Sequence, residues 1–153
     1  MERERCPQCG ARRLQPARQS REVVADDGVR LTYADELTAC LSCGERYYKH
    51  QQSLASSRAR AAVLRKHAGL LTPDEIRAFR ERHRLTQAQL EALLGTGPKT
   101  VVRWEKGTVC QSRAADRLLR LLIVNPKNVE FLAARGGPDD PAVAAGSPGD
   151  GPR

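Results

Sequence analysis

No run of apolar residues in this 153-residue chain approaches the roughly twenty needed to cross a bilayer. The Arg-rich middle segment has too thin an apolar face to lie in a membrane interface. No secretory leader is legible at the N-terminus, so the chain is expected to remain in the reducing cytoplasm, where disulfides are rare. Catalytic signatures are missing as well. The histidines, His50, His67 and His83, lie in basic helical or connector segments without a carboxylate pair, nucleophile motif or phosphate loop beside them. Neither a membrane protein nor an enzyme is expected. From Gly136 to the end, Gly, Pro, Asp and Ala dominate without any aromatic residue, the composition of a disordered tail.

Charge, by contrast, is one-sided. The net charge is +8 and the pI is near 9.7, with Arg dominating the basic residues. That balance suits a polyanion such as nucleic acid, or an acidic protein surface, and charge alone does not choose between them.

Four of the five cysteines form two C-x-x-C knuckles, Cys6-Pro7-Gln8-Cys9-Gly10 and Cys40-Leu41-Ser42-Cys43-Gly44, about thirty residues apart. Tetrahedral zinc with four thiolates takes sulfurs in pairs from tight turns, and a Gly after each second Cys permits the positive φ such a turn needs. One structural zinc per chain, held by Cys6, Cys9, Cys40 and Cys43, is therefore expected. The alternatives are two disulfides or a redox C-x-x-C, and the expected compartment disfavours both. Four thiolates also fill the coordination shell, whereas a catalytic zinc keeps an open position. Cys110, outside the knuckles, reads as an ordinary free thiol.

Between the knuckles, Arg21–Ala25 and Val29–Tyr33 are β-prone runs joined by Asp26-Asp27-Gly28, a hairpin signal. A short strand is expected within Glu45–Tyr48. From about Gln51 to His67 the chain is a stretch of good helix formers with sparse apolar positions, Leu54, Ala61, Val63 and Leu64. Its Arg58, Arg60, Arg65 and Lys66 are placed either to approach phosphates or to form a solvated face.

Beyond Gly69 the pattern changes to short capped helices. Thr72-Pro73-Asp74-Glu75 is a capping box with Pro at the first helical position, ahead of Ile76, Phe79 and His83 on one face. Thr86 and Gln89 repeat the box before Leu90, Leu93 and Leu94, and Gly95 closes that helix. A third helix spans Lys99–Lys106 and ends at Gly107. Ser112–Val124 and a last segment to about Ala134 complete the set. Short helices joined by Gly-containing turns describe a helix-turn-helix unit. Its second helix would offer Lys99, Thr100, Val102 and Arg103 to base edges and phosphates of double-stranded DNA, with Val101 and Trp104 inward and Gln87 on the backbone. The apolar excess at Leu118–Ile123 either closes the core or forms a dimer surface.

The fold class expected is α+β: a small zinc-ribbon-like β domain (1–50), a basic helical connector (51–70), an all-α helix-turn-helix domain of Xre/Cro-like kind (71–135) and the tail (136–153).

The chain resembles the MqsA-type (YgiT-type) zinc-finger and helix-turn-helix antitoxins of bacteria. The resemblance runs from Cys6 to about Leu132. It rests on the order of domains, the two knuckles, Leu85-Thr86-Gln87, Leu94-Gly95-Thr96-Gly97, Arg103-Trp104-Glu105-Lys106-Gly107, and Asp116-Arg117-Leu118-Leu119-Arg120-Leu121-Leu122 with Asn125-Pro126 after it. It implies a zinc domain that neutralises a cognate toxin, often a small ribonuclease. It further implies a C-terminal domain that forms a homodimer and represses its own operon by binding the operator. The four knuckle cysteines inherit the metal role and Arg103 the base-reading role. Lys99 stands where the family pattern has an Asn. A stand-alone zinc-containing transcriptional regulator is the alternative these residues permit.

Overall fold

The computed structural model describes residues 4–135; the segment expected to be a tail lies outside them. Two eleven-residue strands, β1 (Leu14–Val24) and β2 (Arg30–Cys40), pair antiparallel from Val24↔Arg30 to Leu14↔Cys40. The reversal is where Asp26-Asp27-Gly28 predicts it. The Ala25 amide donates to the Val29 carbonyl at 2.8 Å, and Gly28 has φ 84°, which a side chain would disfavour. The ladder is longer than the β-prone runs suggested. It extends through exposed polar positions such as Gln15, Ser20 and Glu36, so pairing rather than local propensity decides its length. A two-residue strand, β3 (Arg46–Tyr47), completes the sheet in the order β1-β2-β3.

Helix α1 (His50–Ala68) packs on β2. Its Gln52 accepts from the Thr38 hydroxyl at 3.0 Å and from the Lys49 amide at 3.0 Å, joining sheet and helix start. Of its expected apolar positions only Ala61 is fully buried, and Arg65, read as a surface cation, is buried beside it. The reason lies further along the chain. Arg65 donates to the Val109 carbonyl (3.3 Å), Arg58 Nε to the Lys106 carbonyl (3.1 Å), and the Cys110 thiol to the Ala61 carbonyl (3.1 Å). Thus α1 lies along the hairpin, bonded to β2 near its start through Gln52 and to the hairpin turn near its end through His67–Asp27 (2.7 Å), while Arg58, Ala61 and Arg65 join it to the helical part.

That part contains α2 (Pro73–Arg82), α3 (Gln87–Leu94), α4 (Thr100–Glu105), α5 (Arg113–Val124) and α6 (Lys127–Arg135). Both capping boxes form as read, with Thr72 accepting from the Glu75 amide and Thr86 from the Gln89 amide. The core lies where the amphipathic faces meet. Ile76, Leu90, Val101 and Leu119 have no exposed surface, each contributing about 1.5–3 kcal/mol by burial. Asp116 is a polar hub beneath them. It accepts from the Leu71 amide (2.7 Å), from Gln111 Nε2 (3.0 Å) and from Arg120 Nε (2.7 Å), so the entry to α2 is tied to α5.

Burial alone would raise the Asp116 carboxyl, but these donors hold it below its ordinary value of 3.8, and the same balance lowers Asp35. A carboxyl depressed in the folded state stabilises the fold fully above its ordinary value. That contribution is lost as pH falls through 3.8 toward the lower folded-state value. Circular dichroism melts of wild type and Asp116→Asn are therefore expected to differ by about 1–3 kcal/mol at pH 7 and to converge below pH 3.8.

Candidate metal centre and reading helix

The two knuckles are built identically. In the first, the Cys6 amide donates to the Ala11 carbonyl and the Gly10 amide to the Cys6 carbonyl, both at 2.9 Å; in the second, Cys40 bonds Glu45 at 2.8 Å and Gly44 bonds Cys40 at 2.9 Å. Gly10 and Gly44 take φ of 71° and 78°. The strand register then does the assembly. Because Leu14 pairs with Cys40 and the Leu41 amide reaches the Arg13 carbonyl at 2.8 Å, both turns fall at the same end of the hairpin.

All four Sγ atoms lie within 4.8 Å of one another. Cys6–Cys43 and Cys9–Cys40 are each 3.7 Å apart, far beyond a disulfide's ~2.05 Å bond. Tetrahedral zinc with Zn–S bonds of ~2.3 Å requires sulfurs about 3.8 Å apart, so the donor set fits a single zinc ion. Cys6 and Cys40 are buried while Cys9 and Cys43 are exposed, leaving the centre seated on the sheet with one side toward solvent. Amide donors of Cys43 and Ser42 outweigh burial and pull the Cys40 thiol down to about 6. Cys43, although the Glu45 amide favours its thiolate, is pushed up to about 12 by Cys9, burial, Cys40 and Cys6. Four sulfurs this close repel as thiolates, and a divalent cation among them offsets that repulsion. When bound, zinc supplies cross-linking of the two turns.

The helix-turn-helix is α3, the turn Gly95–Lys99, and α4. Val101 and Trp104 point into the core, as their spacing predicts. Arg103 and Lys99 are exposed, and Thr100 and Val102 are half-buried at the rim. Lys99 caps the start of α4 with φ 62° and no side-chain cap bond. A lysine in this left-handed region costs about 1–2 kcal/mol relative to the residues that favour it. The missing cap is supplied from α3, whose buried Glu91 accepts from the Val101 amide at 3.0 Å.

Sequence reading missed the group that holds α4 in place. Glu105, 5 % exposed, accepts from Arg80 Nε (2.5 Å) and Nη2 (3.1 Å) of α2 and from Gln87 Nε2 (2.8 Å) of α3. Burial raises its carboxyl, but these donors and the Arg80 and Arg77 charges hold it below the usual range. The signal was present: Glu105 stands one turn after Val101 and next to Trp104, on the buried side of the helix. Gln87, placed in sequence on a phosphate, thus commits its amide N–H to Glu105 and keeps its carbonyl oxygen.

A four-thiol metal centre on a β-hairpin, joined to a helix-turn-helix in a bundle of short helices, defines a zinc-knuckle helix-turn-helix protein. A family model described as the antitoxin component of bacterial toxin-antitoxin systems, MqsA, matches residues 4–132, and the chain belongs to that family. None of the curated proteins matches the chain. It is thus an antitoxin, with a toxin as the partner its family implies. Among the described residues no helix is long and apolar enough to cross a membrane.

The metal centre has a direct test. Elemental analysis of the purified chain is expected to give one zinc per chain, and Cys6→Ser is expected to lose it together with the hairpin's cooperative melting transition. Retention of stoichiometric zinc by Cys6→Ser contradicts the four-sulfur site.

Proposed function

We propose that the protein neutralises a small ribonuclease toxin through its zinc domain and represses its own operon through α4. The observation that carries the DNA half is the anchoring of α4. With Val101, Trp104 and Glu105 fixed inward, Lys99, Thr100, Val102 and Arg103 are turned outward at one end of the helix. Arg103 suits the paired acceptors of a guanine edge; Lys99 reaches a base acceptor or a phosphate; Thr100 and Val102 meet a thymine methyl or a phosphate oxygen. Gln87, through the oxygen left over from its Glu105 bond, sits at the DNA backbone.

In this reading residues 1–50 form the toxin-binding zinc domain, α1 within 51–70 is the basic link, and 71–135 form the DNA-binding and dimerisation domain. A homodimer is supported by Leu121, Val124 and Phe131, which are 61 %, 83 % and 54 % exposed. Val124 is itself a wall of an apolar groove of about 490 Å³ between α2 and α5, lined also by Phe79 and Ile123, a surface that a second copy can share in an isologous contact. Such a dimer works in the cytoplasm, where its operator lies.

Arg103→Ala is expected to abolish operator binding in an electrophoretic mobility assay while leaving zinc content and melting temperature unchanged; undiminished operator affinity sinks the assignment of the reading helix. Wild-type affinity is also expected to fall about a thousandfold between about 50 and 200 mM salt if roughly six phosphates are neutralised. A flat salt response argues against DNA as the partner.

A further inference from the structure

One edge of the sheet is open. In the order β1-β2-β3 the eleven-residue β1 is an outer strand, and among the described residues no strand pairs with its far side. Which of its backbone groups face that side follows from the ladder. The Leu41 amide donates to the Arg13 carbonyl and the Ala25 amide to the Val29 carbonyl, each at 2.8 Å, so the odd-numbered residues of β1 exchange their bonds with β2. The even-numbered residues from Leu14 to Val24 turn their backbone groups outward.

Natural sheets blunt such an edge with proline or with charge. Here Pro16, at one of the outward positions, has no N–H to offer, but it closes only the end of the strand next to the knuckles. From Arg18 to Val24 the outward row of donors and acceptors is complete. Helix α1 packs on β2, and Arg18, Ser20, Glu22 and Val24 are all exposed, so the approach to the edge is clear.

The charges on this row are symmetric about Ser20, with Arg18 two residues before it and Glu22 two after. A second β1 laid antiparallel, Ser20 opposite Ser20, sets the Arg18 of each copy against the Glu22 of the other. Within one chain Arg18 already bonds Glu36 at 2.7 Å, and Arg30 donates to Glu22 at 3.3 Å, on the same exposed face. Pairing extends these into a row of alternating sign: Glu36, Arg18, then Glu22 and Arg30 of the second copy. Only the small Ser20 and Ala34 meet at the centre. A slip of two residues would put Arg18 opposite Ser20 or Val24 and lose both ion pairs. The favoured register also ends itself, because Val24 falls opposite Pro16, which accepts but cannot donate.

We propose that two copies of the chain pair through β1, antiparallel and centred on Ser20, joining their zinc domains in one continuous sheet. The contact is isologous, each copy offering the same strand. It uses neither α4 nor α5. It is therefore independent of the dimer contact proposed above, and a chain using both contacts would link one dimer to the next.

Residue-resolved hydrogen exchange by NMR on the zinc-loaded full chain reads the edge directly. The amides of Arg18, Ser20, Glu22 and Val24, unpaired in a single copy, are expected to slow about tenfold or more between micromolar and millimolar protein, while those of Gln19 and Arg21 are protected at both. Contact through α5 leaves these amides exposed, so a dimer formed there does not mimic the result. Charge reversal checks the register. Arg18→Glu and Glu22→Arg are each expected to lose the protection alone, because like charges then face each other, and to regain it when mixed, since the two variants complement each other at both sites. Zinc content controls for folding of the variants. Equal exchange at both concentrations overturns the proposal, and so does a mixture of the variants that stays unprotected. Protection that appears only when a different protein is added also overturns it, and assigns the edge to that protein.

Discussion

Two pairs of sulfurs on separate turns can share one ion only when the strands that carry them are held in register, and here register and metal geometry are one constraint. The pairing of Leu14 with Cys40 sets both knuckles at the same end of the hairpin. A slip of one residue would turn the side chains of a strand to the opposite face and break the sulfur cluster. The elements after the second knuckle depend on that end of the sheet. The short β3 pairs beside it at Ala39↔Arg46, and α1 starts three residues later with Gln52 bonded back to Thr38 of β2.

The helical half uses a different device. Its smallest helix, the six-residue α4, is too short to be stable through its own hydrogen bonds. Buried carboxylates on or around it provide the fixing: Glu91 satisfies the amide of Val101, and Glu105 is gripped by Arg80 and Gln87. Asp116 performs the same service for the entry to α2. Glu105 and Asp116 are charges taken out of water, tolerable because several donors converge on each. Removing one partner would leave the others exposed to that desolvation cost. The outward face of α4 therefore inherits its orientation largely from buried residues on the opposite side of the helix.

Much of this was legible in sequence. The knuckles announced their chemistry because spacing and trailing glycine are local signals, and the capping boxes at Thr72 and Thr86 form as read. The inward placement of Val101 and Trp104 came from helical period alone. What stayed hidden depends on contacts between residues far apart in the chain. Arg65 looks like a surface cation until Val109, 44 residues later, provides its acceptor. Glu105 looks like a solvated acid until Arg80 and Gln87 are folded against it. The full length of the hairpin was likewise invisible, since its polar positions carry little strand propensity and are ordered by their partners across the ladder.

Because α1 is fastened to Thr38 through Gln52 and, further along, to the carbonyls of Lys106 and Val109 through Arg58 and Arg65, the spacing between these fastenings behaves as a gauge. The helix's 19 residues make a rod of about 29 Å. Each residue added or removed between Gln52 and Arg58 would turn one set of fastenings about 100° relative to the other as well as shifting it by about 1.5 Å. Drift in the size of this segment between descendants of the chain is thus restricted to near-whole turns, unless both sets of fastenings are surrendered together. A stretch of sequence that looks like filler carries the phase relationship between the two halves.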